Sequence, residues 1–147
     1  MSDHIRKQIR KAAVASLTGL ATTGSRVFES RIYPLDRAKL PGLLVYTTTE
    51  DSGREDSPIE LMRDVVLLVV GVVRISENVE DELDDVAMEV EIALDALGLA
   101  GLAKIYHGIQ GTVSTLEGDD ADKPHGAIAM EFLYTYRTAT GAPDVAR

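Results

Sequence analysis

The sequence predicts an α+β domain in which two helices pack on a mixed, mostly antiparallel sheet, in the order helix, strands, helix, strands. Three observations predict it. Apolar residues recur at helical spacing in two segments, 5–17 and 79–97. The run Asp64-Val-Val-Leu-Leu-Val-Val-Gly-Val-Val-Arg74 is apolar throughout its interior apart from Gly71, the pattern of a strand covered on both faces. Residues 126–137 alternate, with Ile128, Met130, Phe132, Tyr134 and Tyr136 on one side and Ala129, Glu131, Leu133 and Thr135 on the other.

Each element follows from local chemistry. Asp3 is placed to cap the first helix, which sets Ile5, Ile9, Ala12, Ala13, Ser16 and Leu17 on one side and Arg6, Lys7, Arg10 and Lys11 mostly on the other; Gly19 is its natural stop. Val27 and Phe28 read as a short extended piece. Tyr33-Pro34 and Leu40-Pro41 punctuate the next stretch, because a proline pushes its predecessor away from the α region. Residues 43–49 are strand-like by β-branching, and the polar loop 50–58 leads back into the apolar run, making a wide hairpin. The second helix begins after Ser76-Glu-Asn78, with Val79, Leu83, Val86, Ala87, Val90, Ala93, Leu94 and Leu97 on its apolar face, and ends at Gly98. Two further strands, 104–116 and 126–137, form a second hairpin around the acidic turn 117–124. The domain is therefore read as residues 1–137, with 138–147 a flexible C-terminal tail.

At 147 residues the chain fits one domain. With no Trp and two Phe, its interior is built mainly from Val, Leu, Ile and Ala. The absence of cysteine excludes disulfides, thiolate metal sites and a Cys nucleophile. The N-terminus lacks the apolar core of a signal peptide, and the longest apolar run falls well short of the roughly 20 residues that span a bilayer, so a soluble protein is expected. The net charge of −9 is unevenly spread. Residues 1–49 carry eight Lys/Arg against three Asp/Glu, whereas residues 50–123 carry five against nineteen. Polyanion binding by the whole molecule is disfavoured, while a basic first helix beside an acidic second one would let neighbouring copies attract head to tail.

Candidate chemistry is sparse. Asp81, Asp85 and Glu89 fall at successive spacings of four on one helix face, an arrangement that could hold a divalent cation, yet a solvated acidic face explains them as well. Asp119, Asp120 and Asp122 lack the spacing of a calcium loop, since the residue eleven beyond Asp119 is Met130. His4, His107 and His125 are not paired at ligand spacing, no nucleophile elbow surrounds Ser16 or Ser114, and Gly108 and Gly111 read as strand glycines at a bulge or close approach. Tyr134, Tyr136 and Phe132 would stack on bases only with Lys or Arg on the same face; Arg137 is on the other, so core packing is expected. The expectation is a non-enzyme that needs no cofactor and no metal.

The stretch Arg31-Ile-Tyr-Pro-Leu-Asp-Arg-Ala-Lys-Leu-Pro-Gly-Leu-Leu-Val-Tyr46, following Val27-Phe28, resembles the approach to the sheet in the phage minor tail protein U family, the lambda-type tail terminators. The likeness continues through the apolar run, the acidic helix and Tyr134-Thr-Tyr136. It implies a tail-terminator-like fold and a structural role in virion assembly: a homo-oligomeric ring, typically of six copies, capping the tail tube and preparing it for head joining. The implied partners are the major tail tube protein and the head–tail connector protein, with DNA passing through an acidic lumen without specific binding. No membrane is involved, and the protein is expected in the virion tail after assembly in the host cytoplasm. By the same resemblance the loop 50–58 would be mobile until it meets the tube, with Asp51 and Arg54 as contact residues and Arg31 and Arg37 serving subunit pairing. The rival readings are a neck or tail-completion protein of similar fold and a small acidic ligand-binding domain; a metal-dependent enzyme built on Asp81, Asp85 and Glu89 comes last.

Overall fold

The computed structural model describes residues 3–29, 39–53, 59–98, 105–117 and 124–146. Their order is α1 (Ile5–Leu17), β1 (Val27–Phe28), β2 (Gly42–Gly53), β3 (Glu60–Arg74), α2 (Val79–Leu97), β4 (Ile105–Glu117) and β5 (His125–Ala139). The five strands form one sheet in the order β1-β2-β3-β5-β4. β1 runs parallel to β2, and every other neighbour is antiparallel. This is the α+β architecture that the periodicities predict.

The two helices share one face of the sheet. Val65, Leu67, Val69 and Val73 of β3 join Leu43, Val45, Met130, Phe132 and Tyr136 in a core sealed by Ile5, Ile9, Ala13 and Leu17 of α1 and by Leu83, Val86, Val90 and Leu94 of α2. Gly71 lies on this face directly beneath α2. A Cβ there would stand 2.6 Å from Val86 Cγ1 and 3.3 Å from Ile128 Cγ2, so the missing side chain lets helix and sheet meet. α2 stops at Gly98, whose φ of 55° suits a residue without a Cβ and whose N–H donates to the Leu94 carbonyl.

A strand with two apolar sides calls for cover from another part of the fold or from another subunit, and on the face opposite the helices the chain supplies much of it itself. Val70 and Val72, only 4% and 2% exposed, cluster with Leu44 and Ala127. Phe28 and Leu40, which flank the connection from β1 to β2, pack against that cluster with Tyr46, Leu68 and Ala129. Val66 and Leu68 remain half-buried.

Two further expectations change. The cap of α1 is His4, not Asp3: its Nδ1 accepts the Arg6 N–H at 3.1 Å, while Asp3, one residue too early, takes Lys7 Nζ at 2.9 Å along the helix. The boundary at residue 137 also moves. β5 continues to Ala139, Thr138 is fully buried, and the chain then folds back so that Ile5 N–H donates to the Pro143 carbonyl and Ala146 bridges to Thr138. Residues 138–146 thus brace the start of α1.

Gly71→Ala is expected to destabilise the fold by about 1–3 kcal/mol, because Val86 and the sheet must separate. Gly111→Ala, whose Cβ would meet nothing within 4 Å, should stay within about 0.5 kcal/mol of the parent. Urea denaturation of the two variants measures the contrast.

Candidate functional site

The predicted acidic triad does not assemble. Asp81 and Asp85 are exposed on α2, but Glu89 turns toward the α1–β1 connection, where its carboxylate accepts both the N–H and the hydroxyl of Thr22. Its role is to tie α2 to the α1–β1 connection. Among the described residues no group of three His, Asp or Glu could hold a metal ion, and no helix is long and apolar enough to cross a membrane. Asp119, Asp120 and Asp122 lie outside the described residues.

Of the proposed contact and pairing residues, Asp51 stands exposed near the end of β2. Arg31, Arg37 and Arg54 lie outside the described residues. Phe132, Tyr134 and Tyr136 are 1%, 2% and 0% exposed, so they are core residues and offer no stacking platform.

One polar cluster escaped the sequence reading. Between Thr47 and Glu50 the β2–β3 register shifts, placing Thr47 opposite Leu67 and Glu50 opposite Val65. Two residues of β2 thus face one of β3, and the extra residue reverses the alternation so that Glu50 points to the helical side. There its carboxylate, 9% exposed, meets Arg6 Nη1 at 2.6 Å and Arg63 Nη1 at 3.5 Å, and accepts the Tyr136 hydroxyl. Burial, the hydrogen bond to Glu50 and the Glu50 charge together push the Tyr136 phenol above its usual range. His4 lies against this cluster, with Nε2 3.4 Å from Arg63 Nη1. A neutral imidazole has one acceptor nitrogen, and Nδ1 uses it for the helix cap, so Nε2 carries the proton and faces Arg63 without bonding it. Burial and the cations Arg6 and Arg63 lower the His4 pKa, against the opposing pull of Glu50. The cluster locks α1, β2, β3 and β5 together.

A hydroxyl, an imidazole and a carboxylate do meet on the other face. His107 Nε2 is 2.8 Å from Thr135 Oγ1, which donates to Asp64 Oδ1 at 2.6 Å. The single hydroxyl proton goes to the carboxylate, so His107 donates rather than accepts. An activated nucleophile requires the reverse direction. The arrangement cross-links β3, β5 and β4.

Between α2 and β4 lies an open groove of about 230 Å³, floored by Tyr106, Ile109 and Phe132 and rimmed by Glu91, Ile92 and Asp95. This is smaller than the roughly 300–1,000 Å³ of sites that enclose a small molecule. Beside the groove, β4 forms one edge of the sheet, and residues 110–117 are exposed throughout. Gly108, with φ 81°, sits in the first of two register shifts, where the sequence places a bulge.

No family model and no curated protein matches the chain. Among solved structures, it is similar to a chain of the virion of a native gene transfer agent particle, at 16% identity and a TM-score of 0.44, over 90% of this chain and 92% of that one.

Two neighbouring tyrosines should respond oppositely to loss of the hydroxyl. Tyr136→Phe removes a bond to a buried carboxylate and should cost about 1.5–3 kcal/mol. The Tyr134 hydroxyl is buried without a partner, so Tyr134→Phe should be neutral or stabilising by up to about 1 kcal/mol; denaturant titration distinguishes them. A second prediction concerns pH. Because the folded-state pKa of His4 is depressed, the unfolded chain binds more protons as pH falls below the ordinary histidine value of 6.5, and stability must fall with it. Thermal melts between pH 7 and pH 5 should show this loss, and His4→Asn, which keeps a capping acceptor that does not titrate, should flatten it.

Proposed function

We propose that this chain is a phage tail terminator, a structural protein that forms a ring on the head-proximal end of the tail tube, stops its growth and prepares it for head joining. The observation that carries this reading is the junction of the two segments in which the sequence resembles that family. Val27 and Phe28 pair in parallel register with Leu43 and Leu44, so the short extended piece and the strand containing Val45-Tyr46 are hydrogen-bonded neighbours. A resemblance between separated stretches thus corresponds to one contiguous piece of sheet.

The character of the surface supports the same reading. The polar clusters around Glu50 and Thr135 cross-link secondary structure, and the exposed face of α2 is acidic. Negative walls repel phosphate, so an α2 that faces a lumen would let DNA pass without adhering. In this reading the ring has six copies, its partners are the tail tube protein and the head connector, and it acts without catalysis. Asp51 and Arg54 contact the tube, Arg31 and Arg37 serve subunit pairing, and the mature protein resides in the virion tail.

Electron microscopy of tails assembled with and without the protein tests this. In its absence tubes should lose length control and fail to join heads, and adding purified protein should restore both. Normal-length, head-competent tails would overturn the proposal, and normal-length tails that only fail to join heads would replace it with a neck or completion role.

A further inference from the structure

The outer side of β4 is an edge of the sheet. Among the described residues no strand pairs with it, and residues 110–117 are exposed throughout. The first half of the strand is broken by register shifts at Tyr106/Gly108 and Ile109/Gly111, but from Gly111 to Glu117 it runs in unbroken register with β5. Such an edge presents its outward N–H and C=O groups to an extended chain, and folded proteins blunt it with Lys, Pro or a bulge. Residues 111–116 contain none of these. Apolar surface flanks the edge on both faces. Leu116 lies on the helical face, where a Cβ on Gly126 would stand 3.1 Å from Leu116 Cδ2 and 2.9 Å from Val79 Cγ2. Val113, opposite Ala129, lies on the other. They are 50% and 64% exposed.

α2 runs alongside this edge and gives it a charge. Its start, at Val79, is level with Leu116, and its last turns, at Glu91 and Asp95, rim the groove floored by Tyr106 and Ile109, so helix and strand are antiparallel. Asp84, Met88, Glu91 and Asp95 follow one another at spacings of four, three and four and form one exposed stripe along the helix. Glu91 and Asp95 fix that stripe on the β4 side, away from Glu89, which turns toward Thr22. Burial and then the charges of Asp95 and Glu91 push the Tyr106 phenol above its ordinary value. None of the three carboxylates of the stripe has a cation partner among the described residues.

The charge decides what can lie on the edge. A second copy presenting its own β4 would bring acidic helix against acidic helix. The cations of α1 are engaged within the subunit, Arg6 with Glu50, Lys7 with Asp3, and Arg10 and Lys11 with Glu29, so α1 of a second copy would have to give up these pairs to answer the stripe. Nucleic acid is repelled by the same carboxylates.

We infer that β4 is a receptor edge for an extended segment of another protein, which adds as a further strand along residues 111–117 and carries Lys or Arg at alternate positions facing Asp84, Glu91 and Asp95, with apolar residues between them on the Val113 side. Alternate side chains of a strand share a face, so a basic–apolar alternation is the pattern that meets both surfaces at once. Main-chain hydrogen bonds supply affinity and the alternation supplies specificity. The stems of the basic residues cover Leu116 while their heads stay in water beside the carboxylates. The inference does not depend on the tail-terminator reading.

Short fluorescent peptides test it on the isolated protein: Lys alternating with Val, Glu alternating with Val, and two versions of the Lys peptide N-methylated at one or the other set of alternate amides. The Lys peptide should bind about tenfold or more tightly than the Glu peptide and protect alternate amides of residues 111–117 from hydrogen exchange. One N-methylated version should lose binding and the other keep it, because only one set of amides faces β4. Asp84→Lys combined with Glu91→Lys and Asp95→Lys, all at exposed positions, should reverse the preference in favour of the Glu peptide. Absence of binding, equal binding of the Lys and Glu peptides, binding that survives both N-methylations, or unaltered exchange along 111–117 would each overturn the inference. Protection of these amides that rises with protein concentration in the absence of peptide would also overturn it and assign the edge to a second copy.

Discussion

Burial of β3 on both faces is the constraint on which the structure depends. With β2 on one side and β5 on the other, all fifteen residues from Glu60 to Arg74 have a partner in β5, and the strand's apolar side chains must leave water above and below the sheet. Burying each such Val or Leu contributes about 1.5–3 kcal/mol, so an uncovered face would forfeit much of the stability of a small domain. One face is met by α1 and α2, and Gly71 brings α2 close enough for Val86 to reach the sheet. The other is met in large part by Phe28 and Leu40 at the two ends of the connection into β2.

That self-sufficiency relocates the question of assembly. A subunit that covers much of its own central strand has less apolar face left to share, and among the described residues the outer side of β4 is backbone without a strand partner. β4 is long, regular beyond Gly111 and exposed on both sides. The charges sort in the same direction. The cations of α1 are partly engaged within the chain, Arg6 with Glu50 and both Arg10 and Lys11 with Glu29. In Glu29 burial opposes ionisation, but the hydrogen bonds from Lys11 and Arg10 outweigh it and hold the carboxyl below its usual value. The carboxylates of α2 other than Glu89 have no such partners among the described residues, which leaves the β4 side with the field of an unneutralised acidic helix.

Much of this fold is legible in the sequence because period and position coincide. The apolar spacing of α2 identifies Val79, Leu83, Val86, Val90 and Leu94, all of them buried, and the alternation of β5 sorts Ile128 to Tyr136 onto the helical face. What escapes depends on contacts between distant residues. A period-two reading cannot show that an extra residue after Thr47 turns Glu50 inward, nor that Arg6, Arg63 and Tyr136 converge on it from three other elements. His4 is missed as a cap because Asp3 is the better intrinsic capping residue, and only the backbone shows that the helix begins one position later. The C-terminal segment reads as frayed because its bracing of α1 is made by backbone groups, such as the Pro143 carbonyl, which side-chain pattern does not encode.

Amide hydrogen exchange on the dilute, isolated protein tests the central claim most directly, because it reports strand by strand what the chain protects by itself. The account predicts that amides of β3 exchange only through global unfolding, whereas alternate amides of residues 111–117, those facing away from β5, exchange as rapidly as exposed backbone. Rapid exchange along β3 would mean that its cover must come from elsewhere, and uniform protection along β4 would mean that the edge is already occupied; either would contradict the account.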